Sequence, residues 1–262
     1  MHDTISLAPD LKLALGLKVE SNSYTGIEYM PDALLTWQVT PEAALWAAVS
    51  RAMRTPSRFD RDLFNRGILQ GGPGFQSEEL MAYEVGSCTR FGDAATLSVS
   101  VFYNDYDRLR TAELPFPLTV KNMMYGHSYG IESWATFELS DWWRLKAGGV
   151  AMKKVLKLKP GSRSFFGITT EGNEPDHQVS LRSEMNLSES IEFDTALRVV
   201  DSLPNPRVPA YAALDARLGW NVSKGVQLSL AGYNLANARH TEFIASSPPR
   251  RDVVRSVYAT AR

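Results

Sequence analysis

The segment ATLSVSVFY, residues 95–103, alternates apolar and hydroxyl side chains and indicates the fold class of this chain. One set of alternate positions holds the apolar residues Leu97, Val99, Val101 and Tyr103. The other set holds the hydroxyl residues Thr96, Ser98 and Ser100. Because successive side chains of a β-strand point to opposite faces, this period of two predicts a strand with one apolar and one polar face.

The same alternation recurs along the chain, in segments 11–19, 178–187, 191–199 and 226–230. No stretch of comparable length places its apolar residues at the helical period. We predict about twelve strands of about 9–11 residues, the length with which a tilted strand crosses a bilayer. Their predicted centres lie near residues 15, 33, 48, 83, 100, 132, 147, 181, 195, 214, 229 and 256.

The connections between these strands alternate in length. Short turns are predicted at 40–42, 92–93, 140–141, 188–190 and 223–225. Longer connections are predicted at 54–77, 108–121, 154–173, 202–208 and 236–250. The connection at 21–23 is short although it belongs to the long class. Short turns on one side and long loops on the other are typical of an antiparallel up-and-down barrel in an outer membrane, whereas a Greek-key sandwich has no such parity.

Aromatic residues gather near the predicted short turns. They are Trp37, Trp46, Phe91, Trp142, Trp143 and Trp220. Amphipathic rings concentrate at membrane–water boundaries, so we predict that these six form one interfacial girdle. The alternative is that they close the end of a soluble core, because alternation alone does not show which face is inside.

Composition excludes several classes of function. The formal net charge of −1 gives no argument for nucleic-acid binding, and the single cysteine, Cys88, forms no internal disulfide. No apolar run is long enough for a transmembrane helix, and residues 1–4 do not begin a signal peptide. The four histidines lack metal-ligand spacing, and no nucleophile elbow is present. We predict no metal, no cofactor and no enzymatic activity.

The predicted long connections carry more cations than anions. Segment 54–77 holds four arginines against two aspartates, and segment 154–173 holds four cations against one glutamate. Guanidinium groups suit anionic oxygens, so this pattern predicts an anionic ligand such as a ferric chelate. The candidate ligand-binding residues are Arg54, Arg58, Arg61, Arg66, Lys157, Lys159 and Arg163. The alternatives are that these residues are merely solvated, or that they contact lipopolysaccharide phosphates.

Several segments resemble TonB-dependent outer-membrane receptors, in the order in which that family has them. They are LWAAVSRAMRTPSRFD (45–60), EELMAYEVG (78–86), VFYNDYDRLR (101–110), YGIESWATFELSDWWRLKAG (129–148), LSLAGYNLANARHTEF (228–243) and RSVYATAR (255–262). The resemblance implies a barrel of about 22 strands with a plugged lumen. It also implies a location in the bacterial outer membrane, in contact with its lipid. Most members take up ferric siderophores with energy relayed through the TonB complex.

The resemblance implies that residues 1–262 are the C-terminal portion of such a barrel. The family's signal peptide, coupling box, plug domain and first strands have no counterpart in this sequence. We therefore expect a receptor fragment for energy-coupled uptake of a scarce nutrient, most often a ferric siderophore in this family. The alternatives are a passive porin or an autotransporter barrel, and a soluble β-sandwich binding module.

Overall fold

Most of the described residues lie in β-strands. A computed structural model describes residues 2–65, 67–169, 173–243 and 252–262. Its elements, in chain order, are β1 His2–Ala8, β2 Leu11–Asn22, β3 Gly26–Thr40, β4 Ala43–Arg54, α1 Arg58–Asp62, β5 Phe64–Asn65, β6 Leu69–Gln70, β7 Glu78–Phe91, β8 Ala95–Glu113, β9 Leu118–Ser140, β10 Trp143–Leu158, β11 His177–Asn186, β12 Ile191–Val200, β13 Leu203–Pro204, β14 Arg207–Val208, β15 Tyr211–Ser223, β16 Val226–Tyr233, β17 Arg239–His240, β18 Val253–Val254 and β19 Ser256–Ala261. Within these ranges, no helix is both long and apolar enough to span a bilayer.

One sheet of 15 strands carries the long elements. Its order is β1-β2-β3-β4-β7-β8-β9-β10-β11-β12-β15-β16-β19, and the short β5 and β6 lie off this path. Each long strand therefore pairs with the next long strand of the chain, which is the connectivity of an up-and-down barrel. Within the described ranges the order begins at β1 and ends at β19, so these two strands each have one neighbour. The predicted fold class, a partial antiparallel barrel, is confirmed.

All twelve predicted centres lie inside strands, but the first strand was not predicted. β1 pairs antiparallel with β2, from His2 opposite Gly16 to Ala8 opposite Leu11. Segment 2–8 has only two large apolar residues, Ile5 and Leu7, so its alternation is weak. Its backbone groups form hydrogen bonds with β2. This pairing, and not the alternation of its side chains, makes the segment a strand.

The predicted loop at 108–121 is wrong. β8 extends to Glu113 and β9 begins at Leu118, so the two strands of 19 and 23 residues form a long hairpin. Neighbouring loops pair with its tip: the amide of Leu118 donates to the Ile68 carbonyl at 2.9 Å, and the amide of Leu114 donates to the Arg163 carbonyl at 3.1 Å. These hydrogen bonds satisfy backbone groups at the far end of the hairpin, which can therefore extend further than an ordinary pair of strands.

The chain divides into two compact units, and each has one apolar and one polar face. Unit 1 comprises Met1–Ser87, Ser100–Gly130 and Lys153–Gly172. Across β2, β3 and β4 its apolar face aligns Leu13, Leu35 and Ala47. Its polar face aligns Gly16, Asp32 and Ser50. The apolar residues stay largely exposed, so this face is not the inside of a soluble core.

Unit 2 repeats this division. It comprises Cys88–Val99, Ile131–Met152 and Asn173–Arg262. Across β11, β12 and β15 its apolar face aligns Leu181, Leu197 and Leu214. Its polar face aligns Arg182, Ala196 and Asp215. Charged side chains therefore lie on the face opposite the exposed leucines.

Candidate functional site

The long connection between β4 and β7 is folded around one buried carboxylate. Ser57 caps the N-terminus of α1, and Asp60 at the third helical position completes a capping box with it. The Asp60 side chain has no solvent exposure. It accepts hydrogen bonds from the Ser57 amide at 2.9 Å and from the Ser57 hydroxyl at 2.8 Å. A five-residue helix has little stability of its own, so these bonds define it.

Two arginines of the neighbouring strands bind the same carboxylate. Arg54 at the end of β4 lies 3.2 Å from Asp60 Oδ2, and Arg110 on β8 lies 3.4 Å from Oδ1. Arg54 also bonds Glu78, whose other oxygen accepts the Arg110 amide at 2.6 Å. We call Arg54, Asp60, Glu78 and Arg110 the anchor cluster. It joins the connection to β4, β7 and β8.

The anchor cluster keeps Asp60 ionised. Burial by itself raises the pKa of Asp60, but the Ser57 hydrogen bonds, the charge of Arg54 and the hydrogen bond from Arg110 together outweigh burial. The pKa of Asp60 therefore lies below its ordinary value of 3.8. A buried carboxylate that accepts several donors is stable only with its partners in place, so the cluster forms as a unit.

Aromatic rings cover the arginines of this connection. The Arg54 guanidinium lies 5.9 Å from the centroid of buried Phe75, and that of Arg110 lies 5.9 Å from Phe59. The side chains of Arg54 and Arg110 are nevertheless 45% and 38% exposed to solvent. Both guanidiniums are therefore oriented by the protein while part of each faces solvent.

The glycine-rich segment Gly71–Gly74 begins with two buried glycines, Gly71 and Gly72, which pack against neighbouring segments. The Gly72 amide donates to the Asp60 carbonyl at 2.8 Å, and the Gly71 amide donates to Leu63 at 2.7 Å. A Cβ on Gly72 would lie 1.9 Å from the Val120 carbonyl oxygen. The glycines thus permit close packing of this connection on β9.

The loop after β10 is fixed to the same long hairpin. Buried Glu113 accepts the Ser162 hydroxyl at 2.8 Å and the Arg163 amide. Lys159 bonds Asp107 at 2.6 Å. Three long connections of unit 1 are therefore held together by polar contacts around β8 and β9.

The predicted ligand-binding cations divide into three groups. Arg54 and Lys159 have carboxylate partners, and Arg61 donates to the carbonyls of Tyr24 and Pro73. Arg66 lies outside the described residues. For the remaining three, no side-chain ion pair is found in the part of the chain that the structure describes: Arg58, Lys157 and Arg163. The structure brings the six described residues into unit 1 but neutralises part of their charge.

Sequence reasoning missed Glu78, Glu79 and Arg110. Glu79 bonds Arg51 at 2.5 Å and also Arg108. These partners are distant in sequence, so no local spacing revealed them. The available signal was the position of Glu78 and Glu79 at the start of β7, which lies beside the second half of β8, where Arg108 and Arg110 occur.

Unit 2 carries a ladder of ion pairs on its polar face. Arg217 on β15 lies 3.0 Å from Glu192 and 3.2 Å from Asp194, both on β12. Glu184 on β11 lies 3.0 Å from Lys146 on β10. The two inner strands, β11 and β12, contribute carboxylates and the two flanking strands, β10 and β15, contribute cations, so this face offers both signs of charge.

A second cluster lies at the loop after β16. The His240 ring stacks on Tyr211 with centroids 4.3 Å apart, and its Nε2 lies 2.9 Å from Glu242. Arg198 bonds the same carboxylate at 2.5 Å. The His240 hydrogen bond is the largest influence on Glu242 and holds the pKa of that carboxyl below its ordinary value. Residues 244–251 of the predicted connection 236–250 and beyond lie outside the described residues.

Three of the six predicted girdle residues lie among apolar side chains of neighbouring strands, and two more lie at or beside a turn. Trp37 pairs with Leu45, Trp143 with Met185 and Trp220 with Leu228. Trp142 stacks on Trp143 at 5.9 Å, and Phe91 is exposed at the end of β7.

Trp46 departs from this arrangement. It pairs with Thr36 and so lies on the polar face of β4, opposite to the face that holds Trp37. Its ring covers Gly86, where an added Cβ would lie 2.6 Å from it. The expected position of Trp46 in the girdle is wrong, because the alternation of β4 turns it to the other face.

In the described ranges, no group of three His, Cys, Asp or Glu side chains is placed to hold a metal ion. Cys88 is a free, exposed thiol. The charged clusters of both units are paired carboxylates and cations, an arrangement suited to holding loops and binding charged ligands.

Comparison with known proteins identifies the architecture. Residues 2–235 match the family model described as TonB dependent receptor-like, beta-barrel. A mutant ferric enterobactin receptor PfeA from Pseudomonas aeruginosa superposes with a TM-score of 0.81 at 16% identity, covering 99% of this chain and 43% of that one. No curated protein matches the chain in sequence.

Two further receptors show the same likeness. The ferric-catecholate import receptor Fiu from E. coli K12 gives a TM-score of 0.77 at 16% identity, over 99% of this chain and 43% of Fiu. The siderophore receptor PirA from Acinetobacter baumannii gives 0.76 at 15% identity, over 99% and 45%. At these identities the superpositions show the fold. The chain spans less than half the length of these receptors.

Proposed function

Since this chain belongs to the TonB-dependent receptor β-barrel family, we propose that it forms part of an outer-membrane receptor for uptake of a ferric siderophore. The observation that carries the proposal is the family match over residues 2–235, together with outer connections fixed around half-exposed arginines. Members of this family are receptors, and the prediction that the chain is not an enzyme is confirmed.

The proposed location is the outer membrane. The exposed apolar face of unit 1 suits hydrocarbon, and the paired backbone of the strands leaves few groups unsatisfied there. We assign the interfacial aromatic girdle at the short turns to Trp37, Phe91, Trp142, Trp143 and Trp220. The partner of this face is outer-membrane lipid.

The proposed ligand is an anionic iron chelate bound on the polar side of unit 1. Arg54 and Arg110 are pre-oriented by Asp60 and keep exposed donors, and Arg58 lies exposed on the adjacent α1. Planar guanidinium donors match carboxylate and catecholate oxygens, and Phe59 beside Arg110 offers a ring for stacking. Among the residues predicted from sequence, Arg54 and Arg58 remain in this proposal.

Energy coupling is the remaining part of the proposed function. The TonB complex would act on a plug that fills the polar side of the full barrel, as the family resemblance implies. The charge ladder around Arg217, with Glu192 and Asp194, gives that side both donors and acceptors for hydrogen bonding to a polypeptide.

Uptake of radioactive iron under iron limitation tests the function. Strains with the gene intact at its native locus, or deleted, receive ⁵⁵Fe as ferric tris-catecholate or as ferric citrate. We expect deletion to abolish uptake of one chelate. Unchanged uptake of every chelate offered, from cells that make the protein, contradicts the proposal.

A pair of variants tests the ligand site. We expect Arg58→Ala to raise the half-saturating chelate concentration about tenfold, the effect of one charge-assisted hydrogen bond. The matched control is Arg207→Ala, which removes an exposed arginine from β14 in unit 2. Equal effects of the two substitutions would argue against a ligand site beside α1.

A further inference from the structure

The polar face of unit 2 contains a hollow whose floor is made of small residues. They are Gly148, Ser180, Ala196 and Ala213. Gly148 pairs with Ser180, and the two alanines lie on the next two strands of the sheet, β12 and β15. Because these side chains are short, they leave an open space of about 430 Å³ above the strands. A space of this volume accommodates a small ligand.

Trp134 on β9 forms one wall of the hollow. A Cβ added to Gly148 would lie 2.1 Å from the Trp134 ring, so the indole lies over this glycine on the polar face. Glycine permits the close approach because it has no side chain. Trp134 is nevertheless 60% exposed. Its ring can therefore stack on an aromatic group that enters the hollow.

Two cations lie directly opposite each other beside this tryptophan. Lys146 and Arg182 are register partners on β10 and β11, a position in which like charges destabilise a sheet. Both bind the same carboxylate, Glu184, at 3.0 Å. Arg144 lies 3.9 Å from Glu184 but has its own carboxylate, Glu138, at 2.6 Å. Lys146 and Arg182 thus share one negative charge, which leaves a surplus of one positive charge in the hollow.

The other two charged residues of the hollow have partners at its far end. Arg198 bonds Glu242 at 2.5 Å. Asp215 accepts the Asn234 amide at 2.8 Å. Strand β12 separates Asp215 from Arg182, so their backbones are about 10 Å apart by the ordinary spacing of strands. The positive surplus therefore lies at the end of the hollow next to the tryptophan, away from Asp215.

The hollow lies near the strand ends that carry the long connections of unit 2. Ser180 is three residues from the start of β11, and Arg198 is two residues from the end of β12. Arg217 lies nearer the short turn after β15. A ligand that arrives from the side of the long connections therefore reaches the hollow before it reaches Arg217.

We propose that this hollow binds a small aromatic carboxylate. The ring stacks on Trp134, and the carboxylate binds Lys146 and Arg182, which relieves the repulsion between these two cations. The planar guanidinium of Arg182 matches the planar carboxylate. This ligand site differs from the proposed iron-chelate site, which lies in unit 1, and its ligand needs no metal.

Equilibrium dialysis of the full protein, purified from outer membranes in detergent, tests this inference without iron. Radiolabelled naphthoate is the probe, and both chambers contain the same detergent. We expect saturable binding that is about tenfold tighter than binding of uncharged naphthamide or of non-aromatic cyclohexanecarboxylate, because each analogue lacks one of the two contacts. Absence of saturable binding, or equal binding of the three compounds, overturns the inference.

Matched substitutions test whether the hollow is the site. Trp134→Leu and Arg182→Gln should each weaken naphthoate binding about tenfold, since the first removes the stacking ring and the second removes a charged donor. The controls are Trp220→Leu, on the apolar face of unit 2, and Arg90→Gln, an exposed arginine of β7, and neither should change binding.

A conservative variant separates a lost contact from a disturbed fold. Arg182→Lys keeps the positive charge beside Glu184 and should retain most of the affinity for naphthoate. Equal losses in the variants and their controls, or unchanged binding in Trp134→Leu or in Arg182→Gln, overturn the inference. Because no iron enters this assay, its result is independent of the iron-uptake test.

Discussion

The buried carboxylate of Asp60 provides the sharpest test of how the outer connection of unit 1 is held. Asp60→Asn keeps the side-chain size but removes the negative charge that two arginines and the Ser57 hydroxyl share. The side-chain NH2 of asparagine is itself a donor, so it cannot accept the hydrogen bonds that an Asp60 oxygen accepts. Breaking a buried charged network costs about 3 kcal/mol, which corresponds to about a 100-fold change in a local opening equilibrium.

Hydrogen–deuterium exchange of the amides in segment 57–72 measures that equilibrium. We expect protection there to fall about 100-fold in Asp60→Asn, with β11 and β12 of unit 2 unchanged. The control is Asp62→Asn on the same helix, an exposed residue bonded to the Tyr24 hydroxyl. Exposed polar pairs contribute little to stability, so amide protection in this control should fall less than about fivefold. Unchanged protection in Asp60→Asn, or an equal loss in the control, would refute the anchoring role.

The anchor also has a defined pH dependence. Because the pKa of Asp60 is lowered on folding, its contribution is fully present above the ordinary value of 3.8 and is lost as the pH falls through the lowered value. We expect the protection of segment 57–72, corrected for intrinsic exchange rates, to be constant from pH 7 to about pH 5 and to decline only below 3.8. A decline near neutral pH would point to a different titrating group.

Three further changes test other contacts. Gly72→Ala places a Cβ against the Val120 carbonyl and should increase protease cleavage of the 55–77 connection at least tenfold, whereas Gly74→Ala has open space and should not. Ser57→Ala removes the cap of α1 and should cost about 1 kcal/mol of local stability, seen as about fivefold faster exchange at Asp60. Glu242→Gln should speed amide exchange of residues 239–243 about tenfold. Since the pKa of Glu242 is lowered, the contribution of its charge should be lost as the pH falls below the ordinary value of 4.5.

The strands were predictable because their signal is local. A period of two needs only neighbouring residues, so segment 95–103 and its counterparts reveal both the strands and their apolar faces. The turns at 92–94 and 141–142 are short enough to be read from composition. The weakly patterned strand 2–8 was missed because its pairing with β2, and not its own alternation, defines it. The extended hairpin tip around 114–117 was missed because it depends on hydrogen bonds from distant segments.

The candidate site was only partly predictable. Sequence identified Arg54, Arg58 and Arg61 as cations of one outer connection. It did not show that Asp60 is buried between two arginines, because one partner lies 50 residues away on β8. A count of cations from the sequence therefore overstates the charge available to a ligand, because the fold pairs some of these cations with carboxylates.

By itself the sequence determined the class of this protein: antiparallel strands, alternating faces and alternating connection lengths, all set by residues close in the chain. Only the tertiary structure decided which face each cation and each tryptophan occupies. For this reason Trp46 lies on the face opposite to that of Trp37. Facing depends on register between strands, and register is fixed by hydrogen bonds to partners that local sequence does not contain.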